Sequence, residues 1–80
     1  MKIIIYRTPT CVYCKKAKAF LGAHNIPYEE KNVAEDSVAR EEMVHKSSQL
    51  GVPVIDIDGQ IMVGFNQRIL SELTGVNKPQ

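Results

Sequence analysis

The sequence predicts an α/β domain on a four-stranded mixed sheet, with elements in the order β-α-β-α-β-β-α and helices on both faces. Three observations predict it. The first third runs from a short apolar stretch through a segment of helical apolar spacing into a second strand-like stretch, and such a β-α-β start demands a parallel pair with a right-handed crossover. Two later apolar stretches flank Asp58-Gly59, a hairpin signal that demands an antiparallel pair. The chain has 80 residues, 44% of them hydrophobic and mostly aliphatic, which suits one small domain over residues 1–80 and argues against disorder.

Taken in order, Ile3-Ile4-Ile5-Tyr6 reads as a buried strand. Thr8-Pro9-Thr10 breaks it, and a helix follows through Lys15 to His24. Tyr13, Ala17, Phe20, Leu21 and His24 recur at helical spacing and are expected on its inward face. Asn25-Ile26-Pro27 ends that helix, because proline cannot continue it. Tyr28 to Val33 is a polar-leaning strand, expected at an edge. Asp36 or Ser37 caps a second helix with Ala39, Met43 and Leu50 inward, and Gly51 stops it. Val52 to Ile57 is the third strand, Asp58-Gly59 the turn and Gln60 to Val63 the fourth strand. Gly64-Phe65 turns the chain. Asn66 then caps a last helix, with Ile69, Leu70 and Leu73 inward and Gly75 at its end.

Composition narrows the function. Ten basic and nine acidic residues give a net charge of +1, unlike the basic footprint of a nucleic-acid binder. No stretch approaches the length of a membrane span, and the apolar start is too short for a secretory core. No nucleic-acid or membrane partner is expected, and a cytoplasmic monomer is the simplest reading. Lys15, Lys16 and Lys18 cluster on the first helix. Lys18 reads as part of a solvated face, whereas Lys15 and Lys16 lie close enough to the cysteines to act on them electrostatically.

Cys11-Val12-Tyr13-Cys14 carries the chemistry. The pair sits on the turn between a strand and the first turn of a helix, where a thioredoxin-like redox motif belongs. A helix N-terminus offers unpaired N–H groups and about half a positive charge, so a thiol there ionises more easily, and the thiolate is the reactive form. Cys11 is expected before or at the first helical residue. Cys14 is expected inside the first turn and more buried. Two other readings stand beside redox chemistry: half of a zinc site, for which only His24 and His45 remain as soft ligands at a spacing that fits no finger pattern, and two unrelated structural cysteines. The strand-to-helix context favours redox. Pro53 opens the third strand. It is either a plain strand start or the second residue of a cis peptide with Val52, beside the cysteines, that turns the Val52 backbone outward toward an extended peptide or thiol ligand.

On Thr8-Pro9-Thr10-Cys11-Val12-Tyr13-Cys14, Gly51-Val52-Pro53-Val54-Ile55, Asp58-Gly59 and Val63-Gly64-Phe65, the chain resembles the glutaredoxin family over nearly its full length. The resemblance implies a minimal thioredoxin fold and a dithiol thiol–disulfide oxidoreductase acting on protein or glutathione mixed disulfides. It implies Cys11 as nucleophile, Cys14 as resolving thiol and their reversible disulfide as the redox-active group. It also implies a glutathione or substrate site at Arg7, Tyr13, Val52, Pro53, Gly64, Asn66 and Gln67. No permanently bound cofactor and no metal are expected, with glutathione as a co-substrate.

The departures bear on the electron donor. Val63-Gly64 stands where glutaredoxins usually carry two glycines, and neutral Asn66 and Gln67 stand where they hold the glutathione amino group with acidic residues. Thr8 replaces a frequent lysine, with Arg7 as a substitute. Gln49 replaces a frequent basic residue, with Lys46 nearby. Each lost charge-assisted bond costs about 1.5–3 kcal/mol, so weak glutathione binding is expected. The single Gly-Phe is also similar to the glutaredoxin-like hydrogen donors of ribonucleotide reductase, which implies thioredoxin reductase as the alternative reductant. Phe65 itself reads equally as a core aromatic or a partner contact. An iron–sulfur or zinc module bridging two subunits through Cys11 is the alternative outside the enzyme class.

Overall fold

The centre of the sheet is the strand whose residues are apolar without a break. In the computed structural model, which describes residues 2–75, β1 (Ile3–Arg7) buries Ile3, Ile4, Ile5 and Tyr6 in succession. A strand covered on both faces needs such a run rather than an alternation. Met1 and residues 76–80, at the ends of the expected domain, lie outside the described residues. The other elements are α1 (Val12–Ala23), β2 (Glu29–Asn32), α2 (Ser37–Ser47), β3 (Val54–Ile57), β4 (Gln60–Val63) and α3 (Gln67–Thr74). The strand order is β2-β1-β3-β4. β1 pairs parallel with β2 and antiparallel with β3, and β3 pairs antiparallel with β4. This is the expected thioredoxin-type arrangement, with the polar strand at an edge.

Side-chain alternation along β1 divides the core. Ile3 and Ile5 join Ala17, Phe20 and Leu21 of α1, Ile55, Ile57 and Met62 of the hairpin, and Leu70 of α3. Ile4 and Tyr6 point the other way, against Val33, Val54 and the Ala39 and Met43 of α2. The hairpin turns through Asp58 (φ 51°) and Gly59 (φ 93°), both positive as a two-residue type I′ turn requires. Asp36 and Asn66 cap α2 and α3, accepting from the N–H groups of Ala39 at 3.1 Å and Ile69 at 3.2 Å.

Several expectations are corrected. The first helix begins at Val12, directly after Cys11 as the motif's setting implied, but its buried stripe is Cys14, Ala17, Phe20 and Leu21. Tyr13 and His24 lie beside that stripe and are exposed, Tyr13 to 56%. The second helix ends at Ser47, capped by Ser48 in the left-handed region (φ 62°), well before Gly51. Leu50 therefore lies in the connection, 68% exposed rather than inward. The third strand begins at Val54, because Pro53 has no N–H to give a ladder. On α3, Leu70 is buried, Leu73 half-buried and Ile69 exposed, while Ser71 and Thr74 take the inward positions. Phe65 is half-buried against the first core cluster, its ring 6.4 Å from that of Phe20.

Candidate functional site

Strand register brings the separate motifs to one end of the sheet. Tyr6 pairs with Val54, and Val54 with Val63. Residues just after β1, just before β3 and just after β4 therefore share an edge of the molecule. Those residues are the turn into Cys11, the Val52-Pro53 pair and Gly64. The Gly64 N–H donates to the Pro53 carbonyl at 2.7 Å, which ties the last two together. The Val52–Pro53 peptide is cis. Neither the N–H nor the carbonyl of Val52 makes a backbone hydrogen bond among the described residues.

Cys11 is the N-cap of α1, with extended backbone (φ −81°, ψ 115°). Its Sγ accepts the N–H of Cys14 at 3.1 Å, the bond a serine or aspartate oxygen makes in an ordinary cap. A sulfur held there faces the positive end of the helix dipole, and a thiolate is the stronger acceptor for the same N–H. Cys11 is partly exposed and Cys14 is 1% exposed, and both are free thiols. Burial, and after it the hydrogen bond with Cys11, push the Cys14 thiol up to about 12, while Thr8 and Arg7 pull weakly the other way. One sulfur is thus reachable and set among donors, and its neighbour keeps its proton.

This asymmetry has a direct readout. In the reduced native protein at pH 8, an alkylating reagent is expected to label Cys11 and spare Cys14, which is buried and keeps its proton. Peptide mass mapping checks this, and labelling of Cys14 at a rate like that of Cys11 would contradict it.

The charged candidates are less available. Arg7 donates from Nε to Glu30 at 2.6 Å, and Lys18 reaches the same oxygen at 3.0 Å. Burial works against the Glu30 carboxylate, but the Lys18 and Arg7 bonds outweigh it and hold Glu30 below its ordinary value. Lys18 is therefore an ion-pair partner and not simply a solvated lysine. Lys46 points under the sheet rather than toward the cysteines, donating to Asp56 at 2.7 Å and to the Tyr6 hydroxyl at 2.8 Å. Gln49 is closed onto the Gly51 backbone, accepting its N–H at 2.6 Å and donating to its carbonyl at 2.9 Å. Asn66 spends its side-chain oxygen on the α3 cap, and Gln67 is an exposed first helical residue. His24, at the C-cap of α1, and His45, on α2, are both exposed, and no group of three or more His, Cys, Asp or Glu converges among the described residues.

Two features escaped sequence reasoning. The first is the network on the α2 face, in which Tyr6 donates to Glu42, Glu42 accepts from Lys31 at 2.8 Å, and Lys46 bridges Tyr6 and Asp56. Its signal was Asp56 itself, a carboxylate inside the apolar run Val54-Ile55-Asp56-Ile57, since a buried carboxylate demands a partner. The second is Lys16, whose Nζ stands 5.0 Å from the centroid of the Tyr13 ring. A surface hollow of about 690 Å³ lies between β2 and the start of α2, lined by Glu29, Glu30, Glu35 and Asp36 among others, none of them from the cysteine motif.

Comparison with known proteins bears on this geometry. The family model described as Glutaredoxin matches residues 3–62. An uncharacterized glutaredoxin-like 8.6 kDa protein of the rubredoxin operon of Clostridium pasteurianum is 54% identical over 71 residues, covering 89% of this chain and 95% of that protein. Glutaredoxin 3 of Escherichia coli is 38% identical over 60 residues, covering 75% of this chain and 72% of its own length. Among solved structures, a point mutant of the thioredoxin-like protein BC3987 superposes with a TM-score of 0.89 at 32% identity, over 94% of this chain and 96% of that one. No helix among the described residues is long and apolar enough to cross a membrane.

Proposed function

This chain belongs to the glutaredoxin family and is a thiol–disulfide oxidoreductase, and from that premise we propose that it reduces protein or glutathione mixed disulfides through Cys11 and Cys14 in distinct roles. The observation that carries the reading is the N-cap bond from Cys14 N–H to Cys11 Sγ beside a buried, protonated Cys14.

The Cys11 thiolate attacks one sulfur of the substrate disulfide. A Cys11–substrate S–S bond forms, the substrate's own S–S bond breaks, and the electron pair leaves on the departing thiolate, which takes up a proton. Cys14 then loses its proton and attacks Cys11 Sγ. The Cys11–Cys14 bond forms, and the second substrate sulfur leaves as a thiolate. The substrate has gained two electrons and the pair has lost two. Burial, the larger cause of the raised Cys14 thiol, persists in the mixed disulfide and slows this second attack. The free backbone groups of Val52, at the same sheet end, are suited to hold an extended substrate chain there. Tyr13, exposed in the first turn of α1, offers that chain an apolar wall. Pro53 and Gly64 fix the floor. No bound cofactor enters these steps, and one copy of the chain is sufficient for them.

Glutathione and thioredoxin reductase are the two candidate reductants. Arg7, Lys46 and Asn66 are each committed to Glu30, Asp56 or the α3 cap, which supports a weak glutathione site and favours the reductase. No observation favours a cluster- or zinc-bridged pair of subunits. The test is turnover of a protein disulfide with NADPH under two recycling systems in parallel, glutathione with glutathione reductase and thioredoxin reductase alone. Faster turnover with thioredoxin reductase is expected. A clear preference for glutathione would show that Gln67 or other groups rebuild the glutathione site.

A further inference from the structure

α1 breaks the charge rule for helices. Cations near a helix N-terminus run against its dipole, and like charges three or four residues apart repel. Yet Lys15, Lys16 and Lys18 all fall within its first seven residues, and the helix holds no carboxylate in its first turn or beyond it. A local rule broken without gain to the fold points to use. Lys18 is neutralised by Glu30, and Arg7, Lys31 and Lys46 each have a carboxylate within 3 Å. Among the described residues, Lys15 and Lys16 form no ion pair. Lys16 instead stands over the ring of Tyr13, three residues earlier on the same side of the helix, and beside it Val12 is 61% exposed. The acidic residues gather elsewhere, at β2 and the start of α2. The mouth of the cysteine pair is therefore an apolar step, Val12-Tyr13, edged by two uncompensated ammonium groups.

We propose that Lys15 and Lys16, the latter held against the Tyr13 ring, make this chain select protein disulfides that are flanked by carboxylate side chains. The proposal rests on the reading of Cys11 and Cys14 as a disulfide-reducing pair. The lysines act on the approach of the substrate and take no part in the exchange of sulfur bonds. Tyr13 keeps the Lys16 ammonium beside the motif by cation–π attraction, so that it meets side chains next to the scissile bond rather than swinging into solvent. Electrostatic steering of this kind acts chiefly on association and weakens with salt.

The test is single-turnover reduction of two disulfide-bridged peptides by the pre-reduced protein, which needs no recycling enzyme. The peptides are identical except for glutamate or glutamine on either side of each cysteine. The glutamate peptide is expected to react roughly tenfold faster at low salt, with the advantage mostly gone near 1 M salt, where the screening length is about 3 Å. The ratio of the two rates is expected to fall toward one in Lys15→Gln/Lys16→Gln and in Tyr13→Leu with Lys15→Gln, and to survive in Lys16→Arg. Equal rates for the two peptides would overturn the proposal, as would a preference that persists in Lys15→Gln/Lys16→Gln. A preference seen only with a glutathionylated neutral peptide would also overturn it, assigning the lysines to the carboxylates of glutathione. Failure to reduce either peptide would overturn the oxidoreductase reading of the pair, and this proposal with it.

Discussion

Replacing Cys11 by serine is expected to abolish disulfide reduction, with a loss of roughly a thousandfold or more, because a hydroxyl at the α1 cap is not ionised at neutral pH and cannot form the mixed disulfide. The substitution keeps a good N-cap, so the helix and the Cys14 N–H bond should persist and melting should change little. A loss of turnover without a loss of stability separates chemistry from folding. Cys14→Ser has a different signature. The first attack remains, the resolving step does not, and substrate should accumulate as a covalent adduct on Cys11 visible by intact mass. Full activity in Cys11→Ser, or an adduct mapped to Cys14, would overturn the assignment of roles.

The second large effect concerns stability. Lys46 is bonded to Asp56 and Tyr6, and Asp56 is 8% exposed. Burial works against the Lys46 ammonium, but its bonds to Asp56 and Tyr6 outweigh it and hold it above its ordinary value. Burial also opposes the Asp56 carboxylate, and Lys46 together with the Gly59 N–H holds it below its ordinary value. Lys46→Met would leave that carboxylate nearly dry and without its cation. Breaking a fully buried pair costs about 3–5 kcal/mol, and the partial exposure here reduces this to about 2–3 kcal/mol. For a domain of this size that lowers Tm by roughly 10–20 °C.

The sign with pH follows from the direction of the Asp56 shift. A carboxyl whose folded value is depressed contributes stability above its unfolded value, about 3.9, and loses it as pH falls through the folded value. The deficit of Lys46→Met should therefore be full at pH 7 and shrink as pH falls through about 3.9 and on through the lower folded value, below which Asp56 is protonated in the intact protein as well. Adding Asp56→Asn to Lys46→Met should recover part of the loss at pH 7. Denaturant melts at pH 7 and pH 3 check both statements. A deficit that is equal at the two pH values would remove the ion pair as its cause.

Much of this was legible in the residues. The triple isoleucine marked a buried strand, Asp58-Gly59 the hairpin, Asp36 or Ser37 the cap of α2 and Asn66 the cap of α3, because each signal is local. The cysteine pair was equally plain, since its spacing and its strand-to-helix setting both lie within a dozen residues. What stayed hidden depends on partners far along the chain. Gly51 looked like the stop of α2, but Ser48 adopts the left-handed turn first, a conformation uncommon outside glycine. Arg7 and Lys46 looked free to replace missing glutathione contacts, yet Glu30 and Asp56, 23 and 10 residues away, claim them. Tyr13 fitted the helical stripe by spacing and still faces solvent, because the first turn of α1 exposes it at the mouth of the motif.

The pairing of β1 with β3 joins residues 3–6 to residues 54–57, so the middle of the sheet closes only after most of the chain exists. A twelve-residue helix is marginal alone in water, and a lone helix would leave Cys14 as wet as Cys11. In a chain without the hairpin the two sulfurs would therefore be close to equal in exposure. They acquire separate characters when the hairpin arrives and seals the core. The difference in burial between the thiols belongs to the finished topology and not to the four-residue motif, so a chain cut before the hairpin would carry the motif without it.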